Sequence, residues 1–193
     1  TSGSVAGSEY VGGLVGKNRG SVRECWSDCT TQGAVRVGGL VGGNQVGSGI
    51  AKSYATGPVT GSEAVGGLFG GNQVATRITE SYAVGRVTGE TDVGGLVGHV
   101  DRSSITNSYW DEETTGQGGS AGDTDNSRAN YNGLTNDQMT GQAAQDNMEG
   151  FDFEKTWDMT DKYPILAWEQ GQRSTEITES DVTIEFENNF RTE

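Results

Sequence analysis

VGGLVGGNQVGSGIAKSYATGPVTGSEA, Val37 to Ala64, is followed at once by VGGLFGGNQVATRITESYAVGRVTGETD, Val65 to Asp92, and this near-duplication decides the fold. The glycine pairs that open successive blocks begin at Gly12, Gly38, Gly66 and Gly94, in steps of 26, 28 and 28 residues. A fixed period of this size marks a repeat architecture. Within each block the same positions recur: an asparagine at Asn18, Asn44 and Asn72, an apolar residue at Val22, Ile50, Ile78 and Ile105, and an aromatic at Trp26, Tyr54, Tyr82 and Tyr109. Cys25, Ser53, Ser81 and Ser108 precede the aromatics. At the N-terminus GSVAGSEYVGG, from Gly3, matches GPVTGSEAVGG, from Gly57, so the chain begins in mid-repeat.

Helical repeats are excluded, because each glycine costs about 1 kcal/mol in a helix and these blocks are built around glycine pairs. Valine, isoleucine, threonine and tyrosine bounded by glycine and asparagine read as short strands and turns. A unit this small buries its apolar face only against its neighbour. The expected fold is therefore all-β, a β-solenoid of about four rungs in which equivalent side chains stack roughly 4.8 Å apart. The asparagines should hydrogen-bond along the axis, the aromatics should stack, and the glycines should fill corners that need positive φ or close backbone approach. At about 3.3 Å per residue the period leaves room for three short strands, hence three sides. His99-Val100 breaks the fourth block, and the ladder is expected to end there.

The chain carries 27 acidic against 13 basic side chains, a net charge of -14, with four lysines. Such charge argues against nucleic acid and anionic membrane surfaces as partners and suits a solvated extracellular or high-salt surface. With 32% apolar residues and 32 glycines the core must be thin, which a solenoid tolerates. No apolar run is long enough to span a membrane, no signal-peptide pattern opens the chain, and no Asn-x-Ser/Thr sequon occurs.

The block GGLVGGNQVGSGIAKSYATGPVTG resembles the GLUG-motif repeats of bacterial and archaeal surface proteins, in which G-G-L-V-G opens a block and S-Y-A-T-G-x-V-T-G closes it. The match runs from Gly3 to Tyr109, and SYWDEETTGQGGSAG, GLTNDQM and FDFEKTW with YPILAW look like the segment that trails such repeats. The resemblance implies a cell-surface or secreted setting, where these repeats accompany adhesins and, in some chains, extracellular peptidases. It implies no catalytic residues within the repeats. The acidic, lysine-poor composition further resembles that of halophilic archaeal proteins.

Individual candidates weigh against this background. Cys25 and Cys29 are close enough for a local disulfide, or they fill small-residue positions; without further cysteine or histidine they make a poor zinc site. Asp111, Glu113, Asp123 and Asp125 lie in a glycine-rich segment that can chelate Ca²⁺, although it lacks the EF-hand glycine and terminal glutamate. GGSAG, Gly118 to Gly122, matches a nucleophile-elbow pattern, but its flanks are polar and His99, the sole histidine, precedes it. Thr135 and Gln138 form a capping box that starts a short helix near Asn136. The aromatic-rich stretch from Phe151 to Trp168 should cover the open end of the solenoid, with a ligand groove between cap and last rung as the sharper alternative. Val182, Ile184 and Phe186 alternate with polar residues as a strand that can be donated to a neighbour.

The domain reading is a solenoid over 1–109, a cap over 110–170 and a tail strand or linker over 171–193. The functional reading is a non-enzymatic extracellular structural or adhesive module with no catalytic residues, a piece of surface stalk or filament. Its partners would be other copies of itself or neighbouring domains, joined through the solenoid end or the tail, and surface glycans. It would need no cofactor, with Ca²⁺ the single candidate. The alternative is a solenoid-type hydrolase or carbohydrate-binding module.

Overall fold

No strand-forming run within one block is long enough to bury itself, so each pairs with its equivalent one block away. The computed structural model describes residues 1–72, 76–101, 103–119 and 130–173. It is a parallel β-solenoid of four coils. One sheet stacks Ser4–Ala6, Thr30–Gln32, Val59–Thr60 and Val87–Thr88. A second stacks Glu9–Gly12, Val35–Gly38, Glu63–Gly66 and Thr91–Gly94. A third stacks Val15–Asn18, Val41–Asn44, Phe69–Asn72 and Val97–His99. The fourth has two columns, one beginning at Ser21–Arg23 and the other at Trp26–Ser27, which merge in the last coil as the single strand Ser104–Asp111. The first three coils thus carry five strands each on four sheets. The expected three sides fall short because the strands are only two to four residues long, leaving room for more corners.

Register joins like to like: Val37 pairs with Val65, Asn18 with Asn44, Ile50 with Ile78 and Tyr54 with Tyr82. The shorter first step has a local origin. Two residues separate Asn18 from Ser21, whereas Gln45 to Ser48 bulge out after Asn44, leaving Val46 71% exposed. The ladder does not end at His99. Val97 and His99 still pair with Phe69 and Gly71, and Ile105 and Tyr109 rejoin Ile78 and Tyr82.

Both roles expected for the glycines occur inside the coils: Gly3 and Gly47 have φ of 133° and 77°, and the glycine pairs serve close approach. A Cβ on Gly38 would lie 2.2 Å from the Val41 carbonyl oxygen and 2.6 Å from the Gly70 nitrogen, so the V-G-G corner closes only without side chains. Positive φ falls also on non-glycine residues in two columns. Tyr10, Arg36, Ala64 and Asp92 have φ of 55°, 56°, 55° and 52°, and Glu24, Lys52, Glu80 and Asn107 have φ of 51°, 49°, 48° and 48°. In the first column Val35 and Val37 pair with Glu63 and Val65 while Arg36 and Ala64 are skipped on both strands alike, a kink repeated in every coil without a shift of register. Left-handed backbone costs a non-glycine residue roughly 1–2 kcal/mol, which the flanking ladders sustain.

Side chains fill the interior in stacks. Leu40, Leu68 and Leu96 are fully buried beside Ile50, Ile78 and Ile105, while Val11, Val37 and Val65 form a second cluster with Val59 and Val87. The interior position held by Ser27, Ala55 and Ala83 passes to Trp110 in the last coil. The indole lies over Gly95, where a Cβ would come within 2.1 Å of it, and its Nε1 donates to the Gln117 carbonyl at 2.8 Å. The Gly119 carbonyl accepts from Gly95 N at 2.8 Å. Trp110 and residues 117–119 thereby close that end of the core.

The rest of the chain forms a cover. Helix α1 (Glu112–Thr115) follows the last coil, and strand Asn130–Leu134 pairs in parallel with Ser104–Asp111. Helices α2 (Asn136–Met139) and α3 (Gly141–Asn147), the antiparallel pair Trp157–Asp158 and Ile165–Leu166, and α4 (Ala167–Arg173) complete it. Helix α2 begins where the capping box placed it, with Gln138 Oε1 accepting from Thr135 N at 3.0 Å. The cover does more than close an end. It lies along the side of the solenoid, burying Tyr54, Tyr82 and Tyr109 against Met139, Met148, Phe151 and Trp157.

The aromatic column and the groove beside it

Two polar ladders run along the coils, and the serine ladder directly precedes the aromatic column. In the serine column, Ser53 Oγ accepts from Cys25 N at 3.2 Å, Ser81 Oγ from Ser53 N at 3.2 Å and Ser108 Oγ from Ser81 N at 3.3 Å. Each of these hydroxyls donates two residues back, to the carbonyls of Ala51, Thr79 and Thr106. One small side chain per coil thus satisfies a donor and an acceptor at the kink before the aromatic, which explains serine at that place. In the asparagine column Asn18 Nδ2 donates to Asn44 Oδ1 at 2.8 Å. Asn72 continues it in backbone register with Asn44.

Trp26, Tyr54 and Tyr82 stack as their register predicts, with centroids 6.1 Å and 4.9 Å apart and planes tilted by 12° and 2°. Tyr109 keeps the backbone register but turns its ring edge-on to Phe151, 5.7 Å away. The tyrosine hydroxyls tie the cover down one by one. Tyr54 donates to Glu169 at 2.8 Å, Tyr82 to the Pro164 carbonyl, and Tyr109 to the Glu149 carbonyl at 2.9 Å. Phenylalanine would pack equally well here; the hydroxyls are what the cover needs. Burial, reinforced by Tyr54, Glu169 and Tyr163, holds the Tyr82 phenol well above its ordinary range. Burial and the nearby Glu149 raise Tyr109 to about 12.

Between the column and the cover a groove of about 440 Å³ remains, lined by Trp26, Asp28, Tyr54, Thr56, Tyr163, Trp168 and Glu169 among others. It lies toward the first coils, whereas the expected groove was to lie at the last rung; there Trp110 and residues 117–119 occupy the space. Glu169 is 6% exposed and accepts from both the Tyr54 hydroxyl and Leu166 N, at 2.8 and 2.9 Å.

The remaining sequence candidates resolve individually. Cys25 and Cys29 are free thiols, so the proposed disulfide is not formed. Cys25 takes the serine position and its Sγ donates to the Arg23 carbonyl, while Cys29 is buried beside Thr1 and Gly13. Asp111 is fully buried. Its Oδ1 caps α1 by accepting from Glu113 N and Thr114 N at 2.9 and 3.0 Å, and its Oδ2 accepts from Tyr163 and Asn136. Glu113 accepts from Asn136 N at 2.9 Å. Both carboxylates therefore spend oxygens expected for Ca²⁺ on joining α1 to the cover. Asp123, Asp125 and Ser120 lie outside the described residues, as do Val182, Ile184 and Phe186 of the tail strand. Burial and the Asp111 hydrogen bond raise the Tyr163 phenol to about 12. His99 approaches Asp92 at 3.7 Å on a partly exposed edge. The boundary drawn at 109 falls inside the strand Ser104–Asp111.

Sequence reasoning overlooked Glu169, Asp28 and Lys162. The repeated choice of tyrosine was a signal for Glu169, because a buried hydroxyl demands a partner; nothing periodic pointed to which one.

Comparison with known proteins follows the same geometry. Residues 89–110 match the GLUG motif. This stretch runs from the second sheet of the fourth coil to Trp110, and the earlier blocks repeat its pattern in register. Over 72 residues the chain is 42% identical to Halomucin from Haloquadratum walsbyi, which covers 36% of this chain and 1% of that protein. A crystal structure of a candidate immunoglobulin A1 protease from Bacteroides ovatus superimposes with a TM-score of 0.64 at 24% identity, covering 86% of this chain and 55% of that one. The chain thus spans a small part of the one and about half of the other, and the latter likeness is one of fold. Among the described residues no helix is long and apolar enough to cross a membrane.

Proposed function

We propose that this chain is a non-enzymatic extracellular module that works as a structural and adhesive piece of a cell surface. The observation that carries this reading is the use of its buried polar groups: Asp111 and Glu169 spend their oxygens on caps and on tyrosine hydroxyls. Groups committed in this way rigidify a shape; they are not poised for proton transfer. A hydrolase would need Glu169 to abandon Tyr54, which anchors the cover. Similarity to Halomucin and the net charge of -14 support an exposed, salt-tolerant setting. Antibodies against the purified chain should label intact, unpermeabilised cells of the source organism. Labelling that emerges only after lysis rejects the surface assignment.

A further inference from the structure

The groove beside the aromatic column is left over after the architecture is satisfied, and its walls are fixed. Tyr54 is held by Glu169 and by stacking on Trp26, and Tyr163 is held by Asp111 and Asn136. Trp168, from α4, also lines the groove and is 45% exposed. Asp28 and Lys162 also line the groove, both exposed, and neither side chain makes a hydrogen bond or ion pair to the described residues. Accessible aromatic surface on Trp168 and Trp26, flanked by uncommitted hydrogen-bonding groups in a volume of about 440 Å³, is the composition of a small-ligand site.

We infer that this groove binds a neutral oligosaccharide, with one or two sugar rings lying on Trp168 and the half-buried Trp26 and hydroxyls directed to Asp28 and Lys162. A sugar ring carries an apolar C–H face bordered by hydroxyls, which matches aromatic planes with a polar border. A purely apolar ligand would desolvate Asp28 and Lys162 without replacing their hydrogen bonds. An anion would gain Lys162 but meet Asp28, Glu169 and a chain of net charge -14, and a cation would gain Asp28 but meet Lys162. Stacking of neutral rings also persists at ionic strengths that screen charged contacts. The inference gives the adhesive reading above a ligand class and rests on that reading.

The test titrates the whole chain with maltotriose, cellotriose, chitotriose and mannotriose, followed by tryptophan fluorescence and calorimetry. At least one sugar should bind saturably, and Trp168→Ala should weaken it by about tenfold or more with the melting temperature unchanged. Asp28→Ala should weaken it by a smaller factor. No saturable binding by any of the four, or binding undiminished in Trp168→Ala, overturns the inference. Shortened sugars in the same tube would keep the site but overturn the non-enzymatic reading, so the two claims fail separately.

Discussion

At position 31 the repeat sets a threonine among valines. Val5, Thr31, Val59 and Val87 stack in register, and Thr31 is fully buried with no hydrogen-bond partner for its Oγ1. A buried hydroxyl left unpaired costs about 1–3 kcal/mol, and valine has nearly its shape. Thr31→Val should therefore stabilise the protein by about that amount, read as a higher urea midpoint with unchanged slope; a lower midpoint would mean that the hydroxyl has a partner. The column itself was readable from the period, since the valines recur there. That the hydroxyl points inward was not, because threonine suits either face of a strand. Serine shows the converse: its recurrence before each aromatic was visible, but its double hydrogen bond depends on the left-handed residue before it, as at Lys52, where the backbone kinks.

At the scale of elements, the contact between aromatic column and cover depends on phenols that must stay protonated. Tyr82 titrates well above its ordinary range, and Tyr109 and Tyr163 near 12. In the unfolded chain these groups lose protons near their ordinary value of about 10. Between that value and about 12 the unfolded state binds fewer protons than the folded state, so stability falls as pH rises. The stabilisation is complete below pH of about 10 and is lost through the window up to about 12. Melting temperatures should drop steeply there, and Tyr109→Phe, which removes one titrating group, should flatten the drop. An equal slope in wild type and variant would refute the assignment. The column was legible because its members repeat at the period of the coil. Its partners Glu149, Pro164 and Glu169 occur once each, outside the repeat, so only the folded chain brings them together.

For the whole molecule, the decisive feature is how a periodic stack is terminated. The interior position of Ala55 and Ala83 becomes Trp110, which fills the space another coil would occupy over Gly95. Trp110→Ala should open a cavity at that end and cost about 3–5 kcal/mol, seen as a clear fall in melting temperature, whereas Trp168→Ala, at an exposed position, should leave stability unaltered. Equal effects of the two substitutions would show that Trp110 is not the plug. The sequence by itself determined the solenoid, its four coils, the like-to-like register and the aromatic stack, because each is a consequence of period: a residue that recurs every coil must lie on its own copy. It also determined the capping box at Thr135, a contact three residues long. The tertiary structure decided the number of sides, the free state of Cys25 and Cys29, the structural use of Asp111 and the position of the groove. These depend on corner angles and on contacts between the repeat and the non-repeating cover, and a linear pattern carries no signal for two segments that meet only once.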